Sequence, residues 1–173
     1  YFRANDKNRT AEAISRINST KITLADVMGE SLPPRPDQTV SDSTIAGIDA
    51  NNNTIRADGE LAIFEKYPNS EKIRAAMLQY AQELQHEFTD IFSKDTWMAV
   101  IKKENNGITC LTDSSFDYYK NISDQIDGSK KWIKEIEDLV FNTQMRTNKR
   151  EENKKYETFV LIGDGNCDVS LNG

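Results

Sequence analysis

The chain has 173 residues, 37% of them hydrophobic and 29% charged, with a net charge of −6 and a mean hydropathy of −0.68. That length supports one domain with a real core, and the composition is polar without being that of a disordered chain. The acidic balance argues against broad nucleic-acid binding and against docking on anionic lipid, and no apolar run approaches the ~20 residues of a membrane span.

In chain order, Asn5 to Asn18 reads as a first helix with a modest apolar face of Ala11, Ala13, Ile14 and Ile17. A short helix from Leu24 to Met28 ends at Gly29. Residues 31–48 carry Pro33, Pro34 and Pro36, which lock φ and push their predecessors toward extended backbone. This predicts a stiff strap laid on the domain surface, anchored by Val40, Ile45 and Ile48. From Asp58 a helix carries Leu61, Ile63, Phe64 and Tyr67, and Pro68 stops it. The strongest periodicity follows: Ile73, Met77, Tyr80, Leu84, Phe88 and Ile91 recur at steps of three and four, behind a cap at Asn69 or Ser70.

A helix restarted at Ser93 or Asp95 and running through Trp97, Met98, Val100 and Ile101 is expected to stop at Asn105-Asn106-Gly107, residues that tolerate a left-handed cap. Ile108 to Leu111 then reads as extended. Thr112 or Asp113 caps another helix, with Phe116, Tyr119, Ile122 and Ile126 on one face and a kink at Asp127-Gly128-Ser129. Met145 to Lys155 is mostly charged and reads as an exposed helical turn or loop. Tyr156 to Ile162 reads as a docked extended segment, and residues 163–173 as a C-terminal tail. The expectation is a single all-α domain: an irregular helical bundle with an extended proline-rich strap and an EF-hand-like loop at 49–60.

That loop carries the chemistry. A calcium loop supplies side-chain oxygens from positions 1, 3 and 5, a backbone carbonyl from 7 and a bidentate carboxylate from 12. Counted from Asp49, these are Asp49, Asn51, Asn53, the carbonyl of Ile55, and Glu60. Thr54 replaces the glycine of the sharp turn and must take a costly backbone. Ala57 stands at position 9, so water fills that corner or Asp58 reaches in. Two neutral asparagines keep the ligand charge low, which places affinity in the weak range of roughly 10⁻⁴–10⁻³ M. The competing reading is an asparagine-rich turn that caps a helix and holds no metal.

The run Leu32-Pro33-Pro34-Arg35-Pro36-Asp37, followed by Gly47-Ile48-Asp49-x-Asn51-Asn52-Asn53-x-Ile55-Arg56-x-Asp58 and an acidic-apolar helix, resembles a group of uncharacterised exported proteins of Gram-negative bacteria. Their shared pattern is a proline-rich lead and a GID-x-NNNG-[IV]-RDD loop. The resemblance covers residues 32–84, and the chain departs from it at Thr54, Ala57 and Gly59. It implies export, to the periplasm or outside the cell with a lipid-anchored precursor as one form, and a calcium-type loop. It supplies no activity. A start at Tyr1 suits a cleaved exported protein and equally a trimmed cytosolic one.

Cys110 and Cys167 are the only cysteines. Their spacing excludes CxxC redox or zinc clusters. In an exported protein they pair, which would stabilise by roughly 4 kcal/mol in the chain-entropy model. Otherwise they stay two thiols.

Other constellations are thin. His86, the one histidine, shares a helical face with Glu83 and Asp90 and reads as a surface salt-linked residue. Asp164-Gly165-Asn166-Cys167-Asp168 repeats the first half of a calcium loop but has no twelfth position. There is no Gly-x-Ser-x-Gly, Walker or Gly-x-Gly-x-x-Gly motif. Trp97 and Trp132, with Tyr118 and Tyr119, read as core before groove. The functional expectation is a non-enzymatic exported interaction module with a structural calcium loop and an unidentified protein partner. The alternatives are a cell-envelope hydrolase and an inhibitor of the immunity kind.

Overall fold

In the computed structural model, which describes residues 2–159 and 165–171, the chain forms eight helices and no strand among the described residues. They are α1 (Phe2–Ser19), α2 (Leu24–Met28), α3 (Gln38–Asp42), α4 (Ala57–Lys66), α5 (Glu71–Thr89), α6 (Lys94–Tyr118), α7 (Ile122–Val140) and α8 (Gln144–Asn153), followed by a 3-10 turn at Lys154–Tyr156. The all-α expectation holds.

Local chemistry sets most of the helix starts. Thr23 and Asp26 form a capping box on α2, and Gly29, at φ 73°, closes that helix in the left-handed region. Asp37 caps α3, Ser70 caps α5, Ser93 caps α6 and Asn121 caps α7, each accepting from an amide two or three residues on.

Helix α5 is the axle. It packs against α2, α4, α6, α7 and α8, and it is buried around its circumference from Ile73 to Phe88. The main core joins Val27, Ile55, Ile63, Met77, Leu78, Leu84, Leu111, Trp132 and Ile136. A smaller cluster of Ile17, Ile91, Trp97 and Val100 seals the α1–α6 side. Both tryptophans are therefore core. Tyr67, Tyr118 and Tyr119 stack around Trp132 with ring centroids 5.8–6.3 Å away, although Tyr118 stays exposed.

The second half of the chain departs from the sequence expectation. Helix α6 runs straight through Asn105-Asn106-Gly107, the 108–111 segment is helical, and Thr112 and Asp113 cap nothing. Gly107 lies where α6 meets α5. A Cβ there would collide with the Glu83 carboxylate and come within 3.0 Å of the Tyr80 ring, so glycine serves close packing here, not a stop. The expected kink at Gly128 is likewise absent, because Gly128 makes room for the Tyr119 ring inside a continuous α7. With the break moved to residues 119–121, Phe116, Ile122 and Ile126 end exposed instead of lining a core face.

The strap is only partly extended. Residues 32–37 are irregular, then α3 forms, and Val40 points outward while Ile45 packs on the core. The charged segment expected as an exposed helical turn or loop is the helix α8, but it is not wholly exposed: Arg146 is the largest fully buried side chain among the described residues. Arg146 donates to the carbonyls of Ser41 (2.8 Å), Ile45 (3.1 Å) and Thr44 (3.2 Å), to Asp42 Oδ1 (2.8 Å) and to Asn142 Oδ1. It thus holds the end of the strap against the bundle. Of the Tyr156–Ile162 segment, residues 157–159 lack regular structure and residues 160–162 lie outside the described ones.

Cys110 and Cys167 form a disulfide, with Cα atoms 5.0 Å apart. It fastens the tail to α6. The Asp168 amide donates to Gln79 Oε1 (2.8 Å), the Ile22 amide donates to Asp168 Oδ2 (3.1 Å), and the Gly165 amide donates to Asn106 Oδ1 (3.1 Å). Asp164, the first residue of the expected half-loop, lies outside the described residues. No helix is long and apolar enough to cross a membrane among the described residues.

Arg146→Met should destabilise the fold by about 3 kcal/mol or more, because the buried Ser41 carbonyl and four part-buried acceptors lose the guanidinium that gathers them. Urea unfolding of the variant measures it, and a change under 1 kcal/mol would contradict the role given to Arg146.

Candidate metal centre

The 49–60 loop is built from its base. Gly47, at φ 71°, turns the chain, and the Arg56 side chain fills the space a Cβ would need. The Ala57 amide donates to the Ile48 carbonyl (2.8 Å) and closes the loop. Inside it, the Asp49 carboxylate folds over the backbone, accepting from the amides of Asn53 (3.3 Å) and Thr54 (2.9 Å). Asn53 Oδ1 accepts from the Ile55 amide (2.9 Å). Asn52 (φ 59°) and Thr54 (φ 67°) both sit in the left-handed region. Asparagine tolerates that region; the β-branched threonine is strained there, as its sequence position predicts.

Two contacts press the loop onto the core. The Ile55 side chain is buried among the core residues, and Gln82 Nε2 of α5 donates to the Asn53 carbonyl (2.7 Å). Glu60, in the first turn of α4, is 1% exposed, and both its oxygens face Asn51 Nδ2, at 3.1 and 3.2 Å. Burial pushes the Glu60 carboxyl up to about 7; Asn51 and Asn53 offset part of the rise, and the charges of Asp26 and Asp49 add to it.

Asp49, Asn51, Asn53 and Glu60 thus come together on one loop, with the Ile55 backbone beside them. Asp58 is engaged elsewhere: it pairs with Arg56 and accepts from Gln38 Nε2 (3.2 Å). Ala57 is buried and offers no oxygen from its side chain. The donor set fits a hard cation of low charge demand. Oxygen ligands predominate, and the buried Asn51 Oδ1 has no hydrogen-bond partner. Only two of the donors are carboxylates, and among the described residues no three Asp, Glu, His or Cys side chains form a metal-holding group.

A second polar cluster was not legible in the sequence. Glu83 and Glu87 of α5 face Glu104 of α6 in the interior, all three buried. Desolvation pushes Glu83 up to about 8 and Glu87 up to about 7, and drives Glu104 well above the ordinary range. The neighbouring Glu87 adds to the rise at Glu104. Arg150 of α8 bridges Glu87 (3.4 Å) and Glu137 of α7 (2.9 Å), and Lys103 favours the charged form of Glu83.

His86 is not a surface residue. It is 1% exposed, and its Nδ1 meets Asp90 Oδ2 at 2.6 Å. Burial alone would raise the Asp90 carboxyl, but hydrogen bonds from His86, Arg16 and Thr89 hold it at about 2. A cavity of about 730 Å³ lies between α4 and α7, lined in part by Lys66, Lys130, Lys131 and Lys134. Another of about 240 Å³ is lined by Lys21, Lys102, Lys103 and Asn106. Neither is lined by His86.

Two measurements check this geometry. Thr54→Gly relieves the left-handed strain and should stabilise the chain by about 1 kcal/mol in denaturant unfolding. The buried glutamates set a pH dependence. Their folded values lie above the ordinary 4.5, so the folded form holds more protons than the unfolded one between about pH 4.5 and 8. Their contribution is intact below the unfolded value and lost as pH rises through 7 to 8. Stability measured from pH 5 to 8.5 should fall, and Glu104→Gln, which removes one titrating carboxyl from the buried cluster, should flatten the decline. No family model matches the chain, and no curated protein or solved structure matches it either.

Proposed function

We propose that the chain is an exported, non-enzymatic helical protein in which the Asp49–Glu60 loop binds calcium as a structural ion and fixes the entry of α4 into the bundle. The observation that carries this reading is the convergence of the Asp49, Asn51, Asn53 and Glu60 side chains on one loop whose backbone is bent at Asn52 and Thr54. Asp49 and Glu60 supply the charge, Asn51 and Asn53 supply neutral oxygens, and the Ile55 carbonyl completes the protein's share. When bound, the cation screens the buried Glu60 carboxylate and ties the loop to the first turn of α4. The disulfide supports an oxidising destination. The role beyond stability is that of an interaction module for a protein partner.

An ion that binds only the folded form adds RT ln(1 + [L]/Kd), a few tenths of a kcal/mol near Kd and about 2.7 kcal/mol at a hundredfold excess. Thermal unfolding in chelator and across millimolar calcium should show a concentration-dependent rise in Tm. Asp49→Ala and Glu60→Ala should each remove that rise. Identical wild-type melting in chelator and in 10 mM calcium would sink the reading.

A further inference from the structure

We propose that Asn51 is a clasp which competes with calcium: its amide NH2 occupies the face of the Glu60 carboxylate that a divalent ion would take, and bonds the chain at Ser31 at the same time. The inference rests on the calcium reading of the loop and adds to it a residue that sets ion dependence, and a segment that responds to the ion.

The geometry is specific. Asn51 Nδ2 lies 3.2 Å from Glu60 Oε1, 3.1 Å from Glu60 Oε2 and 2.9 Å from the Ser31 carbonyl. The Ser31 carbonyl and the ionised Glu60 carboxylate only accept, so with Glu60 charged the nitrogen is the atom facing them; a half-turn of the amide would set Oδ1 against three oxygens. Oδ1, on the other side, is buried and has no partner. Glu60 forms no ion pair among the described residues, so its charge is met by amide N–H dipoles.

A bidentate carboxylate holds a calcium ion between its two oxygens. The Asn51 NH2 straddles that same pair. For Asn51 to act as an oxygen ligand, its amide must rotate, and rotation removes the bond to Ser31. Ion binding at Glu60 and the clasp on Ser31 are therefore alternatives. Ser31 lies just past Gly29, the C-cap of α2, on a stretch whose Leu24, Met28 and Leu32 are exposed apolar side chains, so the choice made at Asn51 is passed to that surface.

The same geometry explains asparagine over aspartate at this position. An aspartate would set a second charge against Glu60 and the Ser31 carbonyl, and the loop would need a cation to fold. The neutral amide accepts weaker ion binding in exchange for a loop that closes in chelator as well.

The test compares wild type, Asn51→Asp and Asn51→Ala by thermal unfolding in chelator and in calcium chloride titrations. Amide NMR of the wild type, following the Asn51 side-chain NH2 and the backbone signals around Ser31, completes it. In chelator, Asn51→Asp should melt about 3 °C or more below wild type. Its calcium midpoint should tighten by about tenfold or more, because a third carboxylate joins the ligands. Asn51→Ala should lose the clasp without that gain. In wild type, the Asn51 and Ser31 signals should move together with calcium. If Asn51→Asp melts in chelator at or above wild type, the clasp is overturned. If calcium raises Tm while the Asn51 and Ser31 signals stay put, the competition is overturned and the calcium reading survives. If neither wild type nor Asn51→Asp responds to calcium, the calcium reading fails and takes the competition with it.

Discussion

Helix α5 is buried on every side, yet seven of its sixteen buried residues from Ile73 to Phe88 are Arg, Gln, Glu or His. Buried polar groups need partners, and for Arg74 and the three glutamines these include backbone groups of the segments between and after the helices and of the last turn of α2. Arg74 donates to the carbonyls of Val27 (3.1 Å), Tyr67 (2.9 Å) and Pro68 (2.7 Å). Gln85 donates to Ala46 (2.7 Å), Gln82 to Asn53 (2.7 Å), and Gln79 takes the amide of Asp168 (2.8 Å). One helix therefore positions the strap, the 49–60 loop and the tail together. Arg56 does the same from the other side, donating to the carbonyls of Leu139 (2.6 Å) and Val140 (3.1 Å), and Arg146 completes the set on residues 41–45.

This arrangement explains how a loop rich in asparagine can be held in a defined shape. Its own hydrogen bonds bend it, but Gln82 and the buried Ile55 side chain decide where it sits. The Glu60 carboxylate is buried because α4 is drawn onto α5, and its burial is what makes its electrostatics demanding. The Glu83–Glu87–Glu104 cluster is a separate consequence of the same choice. A helix that presents polar side chains all round places carboxylates in the α5–α6 interface as well as amides toward the loops. There burial favours the neutral carboxyl, and Arg150 pairs with Glu87.

Much of the first half of the chain was legible from local chemistry. Gly29 and Pro68 end helices where expected, Ser70 and Ser93 start them, and the apolar repeat of α5 is real. The candidate ligands were legible too, since a calcium-type loop is a pattern of residue types at fixed spacing and needs no distant partner. The failures lie where one element answers to another. Asn105-Asn106-Gly107 is a helix stop by local rules, but Gly107 is needed where α6 crosses Glu83 and Tyr80, and the packing along α6 outweighs the weak propensity. Gly128 yields to Tyr119 in the same way. Arg146 reads as a surface charge because its partners, residues 41–45, are distant in sequence, and His86 reads so because nothing within its own helix shows that α5 is enclosed on every side, although its partner Asp90 lies only four residues on.

The sequence by itself determined the helical class, caps such as Ser70 and Ser93, and which oxygen-bearing residue types stand between Asp49 and Glu60, because each is a local pattern of the chain. Only the tertiary structure decided which polar residues are buried, that Asp58 belongs to Arg56 and Gln38, and that Asn51 reaches from Glu60 to Ser31. Those outcomes depend on which buried donors and acceptors meet once the helices pack, and satisfying each of them is a condition on the whole fold, not on any stretch of chain.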